Sequence, residues 1–490
     1  MPASRRGSGS TSPTQLKKRR WRIISASMNN CSRSLLNACA CMITQAFSEV
    51  LDNGLKKHNQ VVPMIPTFVF GWPTGNEVGD YLAFDLGGTN QHVCLVSLQG
   101  EGKFEIAQTK YQCLKTFIET NLSTVSEPGA NVSLDTEEKD KKSIRVEQTE
   151  STGHTETLLQ PGQQLPLGFT FSYPCDQERI DHGVLIRWTK GFGAPNTEGR
   201  DVAEMFRKSI EKLDLPINLT ALINDTTGTL IASHYVNLRT KIAVIFGTGC
   251  NAAYMEKVSE ITKVHDLGLD RSETGPYSEK ATASGCGAFD LHLHEHLPRT
   301  KYDQIVDETS NKHGEQAFEK LISGRYLGEI LRLVICELID EGVLFLGQNT
   351  YKLEKPYCFN TAFLSLMESD PTDELLMIIG IFTHFFALET TLAERQFFRA
   401  LARLVGRRAA RLSACGIAAI VTKMGYLDGG CSVGADGSLY NKYPGFADRV
   451  HEGLVIIFVT HHAEDGSGVG SAIIATMTKA RKEAGIFSHV

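Results

Sequence analysis

The apolar positions along the chain repeat at two periods, one typical of strands and the other typical of helices. Short apolar runs between turn residues predict strands at 81–85, 92–98, 219–223 and 241–246. Apolar residues three and four positions apart predict helices at 201–213 and 226–235, and within the longer stretches 314–345 and 373–421. Segment 61–76, interrupted by Pro and Gly, is expected to be extended. Strands and helices alternate throughout, which is typical of an α/β protein.

One strand–turn–strand pattern occurs twice. In residues 82–96, Leu-Ala-Phe-Asp-Leu-Gly-Gly-Thr-Asn precedes a second apolar run, and residues 242–255 repeat the pattern around Phe-Gly-Thr-Gly-Cys-Asn. This repeat predicts two similar domains, each of which presents a phosphate-binding turn to a shared cleft.

Glycine-rich turns are the main chemical signal. Without a Cβ, backbone N–H groups can approach phosphate oxygens closely. The candidate phosphate-binding residues in the first two turns are Asp85, Gly87, Gly88, Thr89, Asn90, Gly247, Thr248 and Gly249. Asp85 could also hold Mg²⁺, directly or through water. Asp436-Gly-Ser438 and Asp465-Gly-Ser-Gly468 have the same composition. Together the four turns indicate nucleotide binding, and the lack of a Walker A sequence excludes a P-loop protein.

The charge balance narrows the range of partners. The chain has 490 residues, with 50 Lys and Arg against 56 Asp and Glu, and a formal net charge of −6. This mild acidity argues against a general nucleic-acid binder, which usually has a basic face. The apolar patch at 376–387 contains His384 and is too short for a transmembrane helix. We therefore expect a cytoplasmic protein without nucleic-acid or membrane partners.

The cysteines and histidines do not predict a metal site. None of the twelve cysteines belongs to a Cys-x-x-Cys pair, so reduced and mostly buried thiols are expected. His292, His294 and His296 alternate like ligands on a strand. Because no cysteine pair or second cluster completes a ligand set, a solvated or hydrogen-bonded face is favoured over a zinc site.

Two polar segments interrupt the globular pattern. The first 48 residues contain eight Lys or Arg and no Asp or Glu, which predicts a flexible basic tail with order beginning near Ile43. An organelle presequence has a similar composition, but no amphipathic Arg helix is visible. A disordered tail or a misplaced start of the coding sequence is therefore favoured. The polar segment 121–164 is expected to be a solvated insertion.

Several longer motifs resemble the hexokinase family. The most specific are Leu167-Gly-Phe-Thr-Phe-Ser-Tyr-Pro174, Arg187-Trp-Thr-Lys-Gly-Phe192 and Leu222-Ile-Asn-Asp-Thr-Thr-Gly-Thr229. Segments 85–90, 245–253 and 434–440 match the phosphate and adenosine segments of the family, and 441–446 and 463–468 look like its fungal branch. The resemblance covers roughly residues 61–120 and 165–485, with the motifs in the family's order.

The resemblance implies an actin-like (ribonuclease H-like) α/β fold with two lobes around a central cleft. The implied domains are a tail at 1–42, the start of the large lobe at 43–77, the small lobe at 78–224, the large lobe at 225–462, and a helix at 463–490 that returns to the small lobe. The implied activity is ATP-dependent phosphorylation of glucose, fructose or mannose at the 6-hydroxyl, the first step of glycolysis. Mg²⁺ would be held mainly by the nucleotide phosphates, and the chain would be a monomer or a homodimer.

The resemblance also assigns roles to single residues. Asp225 would accept the proton of the sugar hydroxyl, and its alternative role is the N-cap of the helix at 226–235. Lys190 would offset charge on the transferred phosphoryl group. The residues that match the sugar contacts of the family are Ser172, Thr189, Lys190, Asn224, Asp225, Asn251 and Glu319. The nucleotide would lie against 87–90 and 247–249 and face Ser438 and Gly466.

The chain departs from the family at its sugar site. Where the family has Asn-x-Glu-Trp, this chain has Ala283, Ser284, Gly285 and Cys286. At about 1–3 kcal/mol for each lost hydrogen bond, sugar affinity would fall by roughly a hundred- to ten-thousand-fold. His92 replaces an Arg, and segments near 111–114 and 455–460 are short. Changes this abrupt fit misplaced exon boundaries as well as evolved divergence.

Two other classes of function stay open beside the kinase. The missing Asn and Glu, His92 and the basic tail would suit a hexokinase-like regulator or sugar sensor with little catalysis. Another actin-like ATPase, such as a chaperone, would lack the Phe-Thr-Phe-Ser-Tyr-Pro and Trp-Thr-Lys-Gly-Phe motifs. These motifs therefore favour the hexose kinase.

Overall fold

The computed structural model describes residues 39–57, 60, 62, 64–86, 90–112, 164–188, 193–262, 280–284, 296–310, 313–427, 429–454, 459–462 and 466–485. The chain divides into two compact units. The helical unit comprises Met1–Ala46, Ala288–Ala419 and Ser438–Val455, and the sheet unit comprises Phe47–Gly287, Ile420–Gly437 and Ile456–Val490. The basic tail and nearly all of segment 121–164 lie outside the described residues, and the lobe boundaries inferred from the resemblance stay a prediction.

The strands belong to the sheet unit. They are β1 (Ile65–Phe70), β2 (Val78–Leu86), β3 (Asn90–Gly100), β4 (Lys103–Gln112), β5 (Leu165–Phe171), β6 (Cys175–Asp176), β7 (Val184–Leu185), β8 (Ile217–Ile223), β9 (Thr240–Phe246), β10 (Cys250–Lys257), β11 (Lys280–Ser284), β12 (Ser432–Asp436) and β13 (Val459–His462). A six-stranded sheet has the order β1-β11-β10-β9-β12-β13, and a five-stranded sheet has the order β4-β3-β2-β5-β8. Each sheet combines antiparallel hairpin strands with parallel strands.

Helices occur in both units. They are α1 (Cys39–Lys56), α2 (Val202–Lys212), α3 (Asp225–Val236), α4 (Lys301–Thr309), α5 (Ala317–Ile322), α6 (Gly324–Asp340), α7 (Tyr351–Glu354), α8 (Thr361–Ser369), α9 (Leu376–Gly380), α10 (Leu392–Lys423), α11 (Ser438–Lys442), α12 (Phe446–Leu454) and α13 (Gly466–Glu483). A π-helical turn, Ile381–Phe386, follows α9. The predicted alternation of strands and helices is confirmed.

Both predicted hairpins are present, one in each large sheet. Strands β2 and β3 pair antiparallel with Asp85 opposite His92, and β9 and β10 pair with Phe246 opposite Cys250. The repeated sequence pattern therefore corresponds to a repeated structural element. Strand β4, which pairs with β3, was not predicted, and the segment at 61–76 contains strand β1.

Helices α3 and α13 form the core of the sheet unit. Nearly every residue of α3 is buried, as expected for a helix that is covered on all sides. Helix α13 packs against α3 and against β2, β5 and β8. A Cβ on Gly470 would lie 1.9 Å from the Gly228 carbonyl oxygen, and one on Gly168 would lie 2.3 Å from that of Ser471. The close packing of α13 therefore depends on these glycines.

In the helical unit, the two long predicted helical stretches are each broken. The stretch at 314–345 becomes α5 and α6, separated by Ser323, whose backbone is extended. In the stretch at 373–421, Ala387 adopts a left-handed conformation with φ 56°. Helix α10 then begins with a reciprocal cap, because the Glu394 carboxylate accepts from the Thr391 N–H at 2.9 Å and the Thr391 hydroxyl accepts from the Glu394 N–H at 3.3 Å.

The seven cysteines whose side chains the structure describes are free thiols. Of these, Cys94, Cys250, Cys415 and Cys431 are buried, and Cys175, Cys336 and Cys358 are partly buried. Within the described ranges no three His, Cys, Asp or Glu side chains group as metal ligands. Of the alternating histidines only His296 is described. No helix in the part of the chain with assigned structure is long and apolar enough to cross a membrane.

Candidate functional site

The candidate base lies where β8 ends and α3 begins. Asn224, not Asp225, is the N-cap, since its side-chain oxygen accepts from the Thr226 N–H at 3.1 Å. The interpretation of Asp225 as the cap was therefore wrong. Asp225 is the first residue of the helix, and its Oδ1 accepts from the Thr226 N–H at 2.7 Å and from the Thr226 hydroxyl at 3.1 Å. These donors orient a partly exposed carboxylate at the positive end of the helix.

A second predicted sugar contact, Asn251 of the six-stranded sheet, forms a hydrogen bond with Asn224. Asn251, at the start of β10, donates from Nδ2 to the Asn224 Oδ1 at 3.0 Å. The Asn251 Oδ1 accepts from the Ala252 N–H at 2.9 Å. The end of β8 and the start of β10 thus present two amides beside Asp225, a polar arrangement that can bind hydroxyl groups.

Ser172 follows the neighbouring strand β5. Its backbone N–H donates to the Leu86 carbonyl at 3.4 Å, and the residue is buried with 6% exposure. Because β5 and β8 are parallel neighbours, Ser172 and Asn224 follow the carboxyl ends of adjacent strands. Ligands commonly bind at this edge of parallel strands.

The first phosphate turn is connected to the start of α13. Asp85 ends the apolar run of β2, and its Oδ2 accepts from the Ser467 hydroxyl at 2.5 Å. Thr170, on β5, donates from its hydroxyl to the Ser467 carbonyl at 3.2 Å. Gly466, a predicted nucleotide contact, is the buried first residue of α13. The sequence identifies the Asp-Gly-Ser-Gly turn as a candidate but does not single out Ser467. No local sequence pattern indicates that Ser467 pairs with Asp85, which lies 382 positions away.

The second and third glycine turns pack against each other. In the second turn the Gly247 N–H donates to the Gly249 carbonyl at 2.9 Å, and Thr248 is exposed. Gly437 has a φ of +106°, and a Cβ there would lie 2.5 Å from the Phe246 carbonyl oxygen. The third turn can therefore pack against the second only because residue 437 is a glycine.

The positions of the remaining predicted residues relative to this arrangement are not described. Thr189, Lys190, Gly87, Gly88 and Thr89 lie outside the described residues, and Asn90 is described only as the backbone start of β3. Glu319 on α5 and Ser438 at the start of α11 belong to the helical unit. Their roles stay predictions.

The structure describes some of the residues at which the chain departs from the family pattern. Ala283 and Ser284 end β11, where they face Tyr254 and Ala253 of β10 in the strand register. Gly285 and Cys286 lie outside the described residues. His92 occupies β3 opposite Asp85 on one side and Lys110 on the other.

Comparison with known proteins identifies the family. Two models described as hexokinase match residues 34–235 and 241–477. The chain is 45% identical over 475 residues to the hexokinase of Kluyveromyces lactis, covering 90% of each chain. It is 44% identical to hexokinase-1 of Saccharomyces cerevisiae, covering 90% of this chain and 89% of that one.

A solved structure agrees with these relatives. The hexokinase from Schistosoma mansoni complexed with glucose matches with a TM-score of 0.76 and 28% identity, covering 95% of this chain and all of that one. This match confirms the expected actin-like α/β fold. On the family models, the fungal relatives and this structure, the chain belongs to the hexokinase family.

Proposed function

We propose that this ATP:hexose 6-phosphotransferase uses Asp225 as its general base. A sugar hydroxyl is a poor nucleophile, and a positioned carboxylate that accepts its proton speeds attack by about 10²–10⁴-fold. The observation that carries the proposal is the geometry at the start of α3. Asn224 caps the helix, which leaves Asp225 as an oriented carboxylate beside the Asn224–Asn251 amide pair.

The proposed sugar site follows from the same geometry. Ser172 and Asn224 directly follow β5 and β8, and Asn251 lies at the start of β10. We assign these three residues to the hydroxyls of the hexose. Thr189, Lys190 and Glu319 are assigned by their family motifs alone. Glucose, fructose and mannose are the proposed substrates. A site built from such donors and acceptors rejects sugars that leave its buried groups unpaired.

The nucleotide is assigned to the glycine turns. Backbone N–H groups of 87–90 and 247–249 would bind the phosphates of ATP, with Gly466 and Ser438 toward the nucleoside. The potential metal ligands beside the first turn are oxygen atoms, from the Asp85 carboxylate and the Ser467 hydroxyl. Oxygen ligands suit a hard cation such as Mg²⁺. Bound to the β- and γ-phosphates, Mg²⁺ would offset phosphoryl charge, and Lys190 would add a protein cation.

The cytoplasmic location of the protein and its assembly as a monomer or homodimer stay predictions.

The test of the proposed base is Asp225→Asn. Asn keeps an oxygen that can accept from Thr226 but cannot take a proton from the sugar. We expect kcat to fall by about 10²–10⁴-fold with little change in the thermal unfolding midpoint. The measurement is a coupled assay with glucose, ATP and Mg²⁺.

Asp214→Asn is the matched control. Asp214 is exposed, has a φ of 49° and tolerates Asn, which also adopts left-handed backbone. This variant should keep wild-type kcat. Wild-type turnover in Asp225→Asn would assign the proton to another group and overturn the mechanism.

A further inference from the structure

A cavity of about 230 Å³ opens in the helical unit between the segment before α9 and one face of α10. Its polar wall consists of Thr372, Asp373, Gln396, Arg399 and Arg403, and the rest of its lining is apolar. Its volume is slightly below the roughly 300–1,000 Å³ of sites for drug-sized ligands. The cavity therefore suits a small metabolite.

The two arginines of this wall are not engaged in ion pairs with the residues that the structure describes. Arg399 and Arg403 are four residues apart on α10, so their side chains neighbour each other. Among the described residues neither forms an ion pair, and the Nε of Arg399 is buried without a hydrogen-bond partner. An anion in the cavity would supply the negative charge that neither guanidinium group receives from an ion pair.

The neighbouring carboxylates are engaged elsewhere. Asp370 accepts from the Thr372 N–H at 3.0 Å, the Thr372 hydroxyl at 2.6 Å and the Met377 N–H at 2.8 Å. Glu374 pairs with Arg395 at 3.1 Å. Asp373 is the acid in the cavity wall, so the two guanidinium groups leave a net positive charge there.

Further arginines extend this charge along α10. Arg407 and Arg411 continue the spacing of four residues, at about 6 Å of helix rise per step. Burial lowers the pKa of Arg411, and the charge of Arg407 lowers it further, while Glu452 opposes both. The arginines thus create a positive field along the helix that leads to the cavity.

We propose that this cavity binds a small organic phosphate monoester, held at its phosphate by Arg399 and Arg403. The planar guanidinium fork matches phosphate oxygens in bidentate pairs. Asp373 would repel a bare phosphate dianion, but together with Gln396 it can accept hydrogen bonds from hydroxyls on the rest of the ligand. A hydroxylated phosphate ester therefore fits better than inorganic phosphate. The cavity is lined by residues of the helical unit, whereas Asp225 and Asn251 belong to the sheet unit.

The test titrates the full-length protein calorimetrically with glycerol phosphate, inorganic phosphate and uncharged glycerol at constant ionic strength. We expect glycerol phosphate to bind more tightly than inorganic phosphate, and glycerol not to bind. The double variant Arg399→Gln/Arg403→Gln should weaken glycerol phosphate binding at least tenfold while the thermal unfolding midpoint is retained.

Arg407→Gln is the matched control, because Arg407 lies on the same helix face but not in the cavity wall. It should keep wild-type affinity, which separates cavity binding from general attraction to the arginines. Equal affinity of the double variant and the wild type, or no binding of glycerol phosphate to the wild type, would overturn the proposal.

Discussion

Asn224 and Asp225 divide two tasks at the start of helix α3. The side chain of Asn224 satisfies a backbone donor of the first turn and also accepts from Asn251. Because a neighbour provides the cap, the carboxylate of Asp225 can be used for chemistry without loss of the helix start. This division explains why Asp225→Asn should affect turnover far more than stability.

His234 lies at the other end of the same helix in an apolar environment. Its ring stacks on Trp72 at 4.0 Å between centroids, and its Nδ1 lies 2.8 Å from the Thr240 carbonyl oxygen. Burial lowers the pKa of His234 from 6.5 to about 4, the Lys241 charge acts in the same direction, and the hydrogen bond to Thr240 opposes both. Neutral His234 is therefore the form that the folded state favours.

This pKa predicts loss of stability in acid. In the unfolded chain this histidine is protonated below about pH 6.5, whereas in the folded chain it is protonated only near pH 4. The free energy of unfolding therefore falls as the pH drops from 6.5 toward 4. At pH 5 the loss from this one group is about 2 kcal/mol relative to pH 7.5. Urea unfolding at both pH values measures it.

The matched variants are His234→Gln and His451→Gln. The first does not titrate, so its loss between pH 7.5 and pH 5 should be about 2 kcal/mol smaller than that of the wild type. His451 is exposed, and its variant should follow the wild-type curve. The same acid loss in all three proteins would contradict the assigned role of His234.

At the scale of elements, the crossing of α3 and α13 limits what the core tolerates. The Cβ of an alanine at position 470 would lie 1.9 Å from the Gly228 carbonyl oxygen and 2.4 Å from its Cα. Such contacts force the helices apart. Because α13 also contacts β2, β5 and β8, the displacement would reach the five-stranded sheet.

Gly470→Ala should therefore be strongly destabilising. Alanine improves intrinsic helix propensity by about 1 kcal/mol, but overpacking in a core typically costs 1–3 kcal/mol and occasionally more. Because the Cβ would lie 1.9 Å from a backbone oxygen, we take the overpacking cost at the top of this range, about 3 kcal/mol. The expected net loss is then about 2 kcal/mol, measured by urea unfolding. Gly429→Ala is the control, because no atom lies within 4 Å of a Cβ at that position. Equal stability of both variants would show that the crossing can relax.

At the scale of the whole molecule, the chain keeps the family's architecture while its sugar segment differs. The family models and fungal relatives extend over about nine tenths of the chain. The segment that lacks the Asn and Glu begins within strand β11, which pairs with β10 and β1. We therefore expect the lack of these two side chains to affect sugar affinity rather than the fold.

The double variant Ala283→Asn/Gly285→Glu tests this loss. If the two added side chains restore hydrogen bonds to the sugar, the KM for glucose should fall by about a hundredfold or more with kcat largely kept. Steady-state assays with glucose up to several hundred millimolar measure both constants. Thr282→Asn, at the neighbouring position, should not improve KM. No turnover in the wild type or the double variant, with ATP binding and cooperative unfolding intact, would favour a sugar sensor over a kinase.

Local patterns in the sequence were enough to predict much of the fold. The strand–turn–strand repeat and helices α2 and α3 depend on periodicity and spacing within about twenty residues, whereas the roles of Ser172 and Asp225 were implied by the family resemblance. The family resemblance added the actin-like fold and the activity. The predicted helical stretches at 314–345 and 373–421 were placed correctly, but their breaks at Ser323 and Ala387 were not found.

The three-dimensional relations came from the tertiary structure alone. Ser467 meets Asp85 across 382 positions of sequence, and Asn251 meets Asn224 across 27. Among the described residues Arg399 has no ion pair, because the nearby carboxylates of Asp370 and Glu374 are bonded to other groups. By itself, the sequence determined several of the strands, helices and glycine turns, although not strand β4, because backbone sterics and amphipathic periodicity act over a few residues. Which side chains become partners was decided by packing, since burial brings distant segments together at positions that no local pattern encodes.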